Sequence, residues 1–367
     1  MKFKADALYI HIPFCKNICT YCDFKKFIYN QERINDYFKS LFFQLEMLKD
    51  NKYKSIYIGG GTPSCIDKEN LEMLLKKLSM ILSNNYKEFC IESNVEDLDD
   101  SFLSLISKYK VNRLSIGVQS FNDKYIIYCN RRHNKVNAID NIKLASKYIK
   151  NISIDLIFAF KDQSIKEIKN DIDIATSLPI KHISYYSLLI EPNTILWAKN
   201  VENVDDNTQS KMYTFIYRYL KKKGFERYEI SSFAKYKKYQ SYHNKVYWTN
   251  KHYDAIGLAG SGYIDNIRYT NTNNIITYNL RQYSYEKTYL DKKDIMFDEI
   301  MLHLRLDEGL NIKKFNKKFN VDFLSYYKES IDYCLENKLI KINKNTIKTT
   351  FKGSLLLNVT LQAFLLD

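Results

Sequence analysis

Residues 8–24 read LYIHIPFCKNICTYCDF. Leu8 to Pro13 alternates like a strand and runs directly into Cys15, Cys19 and Cys22. Three cysteines spaced C-x3-C-x2-C on one loop suit a [4Fe–4S] cluster held by only three thiolates, with an open site left on the fourth iron. The short spacings let the ligands meet one small cube. The alternatives are a structural zinc and no metal at all. A structural zinc closes with four ligands, usually as paired C-x2-C or H-x3-H spacings, and no second pair of that spacing follows. Three cysteines so close together are also a poor choice for mere core filling.

Outward from this loop, residues 1–190 alternate strand and helix. Strands are expected at Leu8–Ile12, Ser55–Ile58, Phe89–Ser93, Arg113–Val118, Ile152–Phe158 and His182–Leu188. Helix-period segments fall between them at Gln31–Lys49, Lys68–Leu82, Ser101–Lys108, Val136–Tyr148 and Ser164–Ser177. Asp67, and Asp162 or Ser164, stand where N-caps belong. Repeated βα units imply parallel strands and right-handed crossovers, hence a barrel or an open sheet. Chemistry in such folds gathers at the C-terminal strand ends. Each motif below falls at one of them.

The cysteine loop resembles that of the radical S-adenosylmethionine (SAM) superfamily. Its flanks, YIHIPFC and CDF, resemble the coproporphyrinogen-oxidase-related branch. The resemblance implies an α/β fold with a partial (β/α)6 barrel over residues 1–223. It further implies that the amino and carboxylate groups of SAM bind the open iron, and that an electron from the cluster cleaves SAM to a 5′-deoxyadenosyl radical. The metal ligands would be Cys15, Cys19 and Cys22.

The SAM residues are assigned by the same resemblance. Gly59–Gly60–Gly61–Thr62–Pro63 follows the second strand and resembles the glycine-rich motif that meets the methionyl amino group. Glycines allow such close backbone approach, so Gly60, Gly61 and Thr62 are candidates, with Tyr9 on the first strand. Glu92, in CIESNVE, resembles a SAM-contacting glutamate. Gln119, in VNRLSIGVQSF, resembles the glutamine of the fourth strand, and Arg131, in NRRHN, matches a G-R-x-H pattern better than Arg132. Asp155, in NISIDLIF, resembles the fifth-strand aspartate. A carboxylate on an apolar strand needs a partner, and a ribose hydroxyl would serve. One departure stands out: the family pattern G-L-P-G-Q is here Ala159–Phe160–Lys161–Asp162–Gln163. That turn has lost its glycines and proline, and its geometry is expected to differ.

Beyond residue 223 the pattern loosens. The segment 224–290 contains His243–Asn244–Lys245–Val246–Tyr247–Trp248, resembling the H-N-x-x-Y-W motif of the HemW heme-chaperone group. The resemblance implies heme as a third cofactor, with His243 as axial ligand and cytochromes among the acceptor proteins. A packing motif under the barrel mouth is the competing reading. Residues 291–367 read as a small α+β domain resembling a winged helix, with helices at Asp294–Leu304, Ile312–Phe319 and Phe323–Asn337 and a hairpin at Leu339–Thr349. The other functional class is an enzyme, oxygen-independent coproporphyrinogen III dehydrogenase. That group carries a further cysteine two positions beyond the third ligand, where Phe24 stands here, and a long segment before its first strand, whereas 14 residues precede Cys15. A radical SAM enzyme of another substrate is the remaining alternative.

Composition fits an ordinary soluble protein, with 45% hydrophobic and 27% charged residues. The sequence has no secretory signal pattern and no apolar run of membrane-spanning length. Seven cysteines, three of them clustered, suit a reducing compartment and a cytoplasmic protein. The net charge of +14 is spread along the chain. We read it as solvated surface rather than a nucleic-acid patch, with peripheral membrane contact as the alternative. A reductant protein such as a flavodoxin is implied by the resemblance.

Overall fold

A computed structural model describes residues 5–365. Six parallel strands form its centre: β1 (Ala7–Ile12), β2 (Ser55–Gly60), β3 (Glu88–Asn94), β4 (Arg113–Gln119), β5 (Asn151–Phe158) and β6 (His182–Ser187). All six lie where alternation placed them, with ends moved by one or two residues. The intervening helices bury one apolar stripe each, as Leu71, Leu74, Leu75, Leu78 and Ile81 do on Lys68–Ile81. Asp67 caps that helix by accepting from Asn70 N–H. Ser164, rather than Asp162, caps Ile165–Ser177, in a reciprocal capping box with Glu167.

Strand side chains alternate strictly between two environments. Leu8, Ile10, Ile56, Ile58, Ile91, Ile116 and Ile154 face the helices and join the main core. Their neighbours Tyr9, Tyr57, Glu92, Ser115, Asp155 and His182 face the barrel interior, which is therefore polar. Register stacks these residues in layers: Glu92 pairs with Ser115, Ser115 with Ser153, and Ser153 with His182, while Gly117 pairs with Asp155. A bulge between Gly117 and Gln119 re-aims the end of β4.

The segment in which the sequence pattern loosens extends this sheet on both edges. β7 (Glu226–Arg227) and β8 (Ser232–Ala234) continue beyond β6. β9 (Tyr253–Ile256) pairs parallel with β1 and leads into β10 (Ser261–Ile264), β11 (Ile267–Asn271) and β12 (Tyr285–Tyr289). The twelve strands run β12-β11-β10-β9-β1-β2-β3-β4-β5-β6-β8-β7. Between β8 and β9 the chain crosses under the barrel, and the helix Tyr242–Trp248 closes its base. Glu88, at the N-terminal end of β3, accepts from Ser241 Oγ at 2.9 Å and Tyr242 N–H at 2.8 Å, fixing the start of that helix.

The C-terminal unit has its own core, including Ile300, Leu304, Phe315, Phe323, Ile331 and Ile347. Its helices Lys292–Leu304, Ile312–Phe319 and Lys328–Glu336 pack on a three-stranded sheet of β13 (Leu310–Asn311), β14 (Ile340–Asn343) and β15 (Thr346–Thr349), with β15 central. Arg227–Asp307 and Arg268–Asp298 ion pairs, both at 2.5 Å, tie it to the barrel sheet.

The loop 159–163 differs from expectation in an informative way. Ala159 (φ 63°) and Asp162 (φ 61°) both sit in the left-handed region, at the two positions where the resembling pattern has glycine. The glycine-type backbone is kept, and residues with a β-carbon bear its strain. Replacing Ala159 by Gly is therefore expected to stabilise the protein by about 1 kcal/mol, and Asp162→Gly by less, since Asp tolerates this conformation better. Urea unfolding midpoints test this; a fall in both variants would mean the turn does not adopt these angles.

Candidate functional site

At the C-terminal ends of β1–β6 lies a cavity of about 130 Å³, partly open to solvent. Its lining contains Cys15, Cys19, Cys22, Gly60, Gly61, Thr62, Glu92, Gln119, Arg131 and Asp155. Ten of the twelve residues singled out in the sequence thus surround one space. Among the described residues no three His, Cys, Asp or Glu side chains gather closely enough for a single metal ion. A four-iron cube is instead held at separate corners, so spread thiols on one loop fit it. All three cysteines are free thiols.

The glycine turn is built by close backbone approach. Gly61 donates to Ile12 O at 2.8 Å and Thr62 to Phe14 O at 2.7 Å, so the turn lies directly on the cysteine loop. A β-carbon at Gly61 would come within 2.6 Å of Phe14 O. Gly60 has φ 113°, and a β-carbon there would meet the His11 ring at 2.5 Å. His11 is held by Tyr9 OH at 3.1 Å and by Lys25 O at 2.9 Å, behind the loop.

Two thiols have donors aimed at them. Thr62 Oγ1 donates to Cys15 Sγ and Arg131 Nη1 to Cys19 Sγ, each at 3.3 Å. Burial pushes the Cys15 thiol up to about 11. Its thiolate is favoured only once a cation sits beside it, which iron would supply.

The acidic wall is Glu92 and Asp155. Glu92 accepts from Tyr57 OH at 2.8 Å and Gly60 N–H at 3.1 Å. Burial raises its pKa to about 7, with Asp155 adding repulsion that these two bonds only partly offset. Asp155 accepts from Ser115 Oγ at 3.3 Å, and burial likewise raises it above the ordinary carboxylate range. Neither carboxylate forms an ion pair among the described residues, so a polar or cationic ligand would find both available. Gln119, at φ 69°, ends β4 in a left-handed turn and accepts from Tyr186 OH at 3.3 Å. Arg131 bonds Gly117 O and Cys19 Sγ, whereas Arg132 is exposed.

Two expected residues lie elsewhere. Tyr9 is packed inside the barrel, its ring 6.2 Å from that of Tyr57, without lining the cavity. His243 is at the opposite end of the barrel. It is 1% exposed, with Nδ1 at 2.9 Å from Ser55 Oγ and Nε2 at 2.7 Å from Tyr247 OH. Both ring nitrogens are engaged, so in this conformation the imidazole has no free lone pair and ties the helix Tyr242–Trp248 to the start of β2. Burial depresses its pKa to about 3, keeping it neutral. His243→Ala strands the Ser55 and Tyr247 hydroxyls and opens a cavity, and is expected to cost about 2–4 kcal/mol in denaturant unfolding. Unchanged stability with an altered heme spectrum would instead make it a ligand.

Sequence reasoning missed Asn94, Ser115, Gly117 and Tyr186, which also line the cavity. The inward half of the strand alternation could have found them, since each lies an even number of residues from a named residue on its own strand or shares its layer.

Comparison with known proteins agrees with this geometry. Residues 9–175 match the family model described as the radical SAM superfamily, and residues 290–356 that described as the HemN C-terminal domain. The chain is 34% identical over 374 residues to the heme chaperone HemW of Lactococcus lactis subsp. lactis (strain IL1403), covering 99% of this chain and 98% of that protein. It is 31% identical to the Bacillus subtilis (strain 168) heme chaperone HemW, with 98% and 99% covered. Among solved structures, coproporphyrinogen III oxidase (HemN) from Escherichia coli, described as a radical SAM enzyme, superposes with a TM-score of 0.83 at 18% identity, over 98% of this chain and 90% of that one. That likeness concerns the fold.

Proposed function

The chain belongs to the radical SAM superfamily and, within it, to the HemW family, and from that premise we propose that it is a heme chaperone that binds a [4Fe–4S] cluster, SAM and heme and delivers heme to acceptor proteins such as cytochromes. The observation that carries the proposal is the end-to-end likeness to heme chaperones, 34% identical over 374 residues, including both the barrel and the C-terminal unit.

Cys15, Cys19 and Cys22 would hold the cluster, which when bound supplies one-electron chemistry and an open iron. The protein's own part is binding and orientation. Gly60, Gly61 and Thr62 present a backbone edge with room for a polar head group. Glu92 and Asp155 offer carboxylate acceptors to ligand N–H and O–H groups, and Arg131 offers a cation to a carboxylate. Gln119 and Tyr186 close the side toward β6. A reductant protein such as a flavodoxin would approach the exposed cysteine loop.

The second reading is oxygen-independent coproporphyrinogen III dehydrogenase, favoured by the HemN-like fold. Against it, Phe24, 62% exposed at the cavity rim, occupies the position of that group's additional cysteine. The separating experiment is anaerobic reconstitution followed by a coproporphyrinogen III turnover assay with SAM and reductant, and a heme titration on the same sample. Heme binding without protoporphyrinogen formation supports the chaperone; turnover would replace it with the enzyme.

A further inference from the structure

The short helical turn Val95–Asp97 lies beside the cavity and is pinned on both sides. Asn141 Nδ2 holds Val95 O at 2.8 Å. Asp97 is held by Lys16 at 3.0 Å and Ser64 at 2.9 Å. Between these anchors stands Glu96, whose Oε2 is 3.5 Å from Nδ1 of His133. The His133 side chain is wholly buried, and neither of its ring nitrogens makes a hydrogen bond. Two residues earlier on the chain is Arg131, whose Nη1 donates to Cys19 Sγ at 3.3 Å and whose Nε has no partner. Burial works against the Glu96 anion, yet His133 and Arg131 together hold its carboxyl below the ordinary value. The Glu96–His133 pair thus sits two residues along the chain from the arginine that bonds Cys19.

A buried guanidinium needs counter-charge. Arg131 bonds the sulfur of Cys19 and feels the carboxylate of Glu96 through space, so a stronger pull toward one is a weaker hold on the other. His133 contributes by occupying Glu96. We propose that His133 and Glu96 are positioning residues that set how firmly Arg131 bonds the Cys19 sulfur, and thereby tune the reduction potential of the cluster. This rests on the reading of Cys15, Cys19 and Cys22 as its ligands. A donor and a positive charge at a ligating sulfur stabilise the extra electron of the reduced cluster, so they raise its potential.

The two residues then act with opposite signs. His133→Leu fills the space but frees Glu96 to draw Arg131 off the sulfur, so the potential moves more negative. Glu96→Gln removes the competing charge and leaves Arg131 on the sulfur, so the potential moves more positive. His133→Asn keeps a donor near the Nδ1 position and returns the potential toward that of the wild type.

The test is a redox titration of reconstituted full-length protein without SAM, followed by EPR of the reduced cluster, with iron content measured on every variant. Opposite shifts in His133→Leu and Glu96→Gln are expected. Equal potentials, or shifts of the same sign, at full iron content would overturn the proposal. Should His133→Leu fail to hold iron, a positive shift in Glu96→Gln with none in His133→Asn sustains it, and no shift in either ends it. Absence of a cluster in the wild type would refute the ligand assignment instead, so the two failures are distinguishable.

Discussion

Cys15→Ser, Cys19→Ser and Cys22→Ser are each expected to abolish the visible absorption of anaerobically reconstituted protein, which in the wild type should accompany about four iron atoms per chain. Serine keeps the size and the hydrogen bonds but not the thiolate, and a cube held by only three residues has no spare ligand to lose. The control is internal. Cys65, Cys90, Cys129 and Cys334 are free and buried. Cys65 Sγ lies 3.5 Å from Phe14 O and Cys334 Sγ 3.9 Å from Thr360 O, packed positions suited to structural thiols. Serine at these four positions should leave iron content unchanged. Full clusters in all three loop variants would refute the ligand assignment.

The second large effect is on SAM. Glu92→Ala should weaken SAM binding roughly 10- to 150-fold, the loss of a charge-assisted hydrogen bond of about 1.5–3 kcal/mol. It should do so with the cluster intact, since among the described residues the hydrogen bonds of Glu92 go to Tyr57 and Gly60 and not to a loop cysteine. The pH dependence carries its own sign. With its pKa raised to about 7 by burial, Glu92 is largely protonated below that pH and must give up its proton to accept from a ligand donor. SAM affinity should therefore fall as pH drops below about 7, approaching tenfold per unit. In Glu92→Gln that slope should disappear. The same raised value means that ionising Glu92 opposes folding: in the ligand-free protein its protonated form is favoured below pH 7, and that contribution is lost as pH rises from about 4.5 through 7. Isothermal titration across pH 6–8 checks the slope; a flat wild-type profile would make Glu92 a structural acceptor.

Much of the barrel was readable because its strands obey a two-residue period under one physical constraint, apolar toward the helices and polar toward the interior. Cys15, Gly61, Glu92, Gln119 and Asp155 were assigned by the family resemblance, and the parallel strands that carry or precede them bring all five to one cavity. What was hidden is non-local. Tyr253–Ile256 is too short to announce itself, and its pairing with β1 joins residues about 245 apart in the chain. The surroundings of His243 were equally hidden: the H-N-x-x-Y-W resemblance implied a heme ligand, and sequence could not show that Ser55 and Tyr247 engage both ring nitrogens. The left-handed angles at Ala159 and Asp162 could not be foreseen either, because those residue types do not demand them.

The central claim is heme delivery, and heme is an apolar anion that a basic, tyrosine-rich surface can adsorb without a site. Binding alone is therefore a weak criterion. The most direct measurement is transfer of heme from the loaded, cluster-containing protein to an apo-cytochrome, followed by the spectrum of the acceptor, with an equal amount of free heme and a basic non-acceptor protein as references. Faster and more complete transfer from the wild type than from either reference is the predicted result. Transfer no better than from free heme would contradict the account.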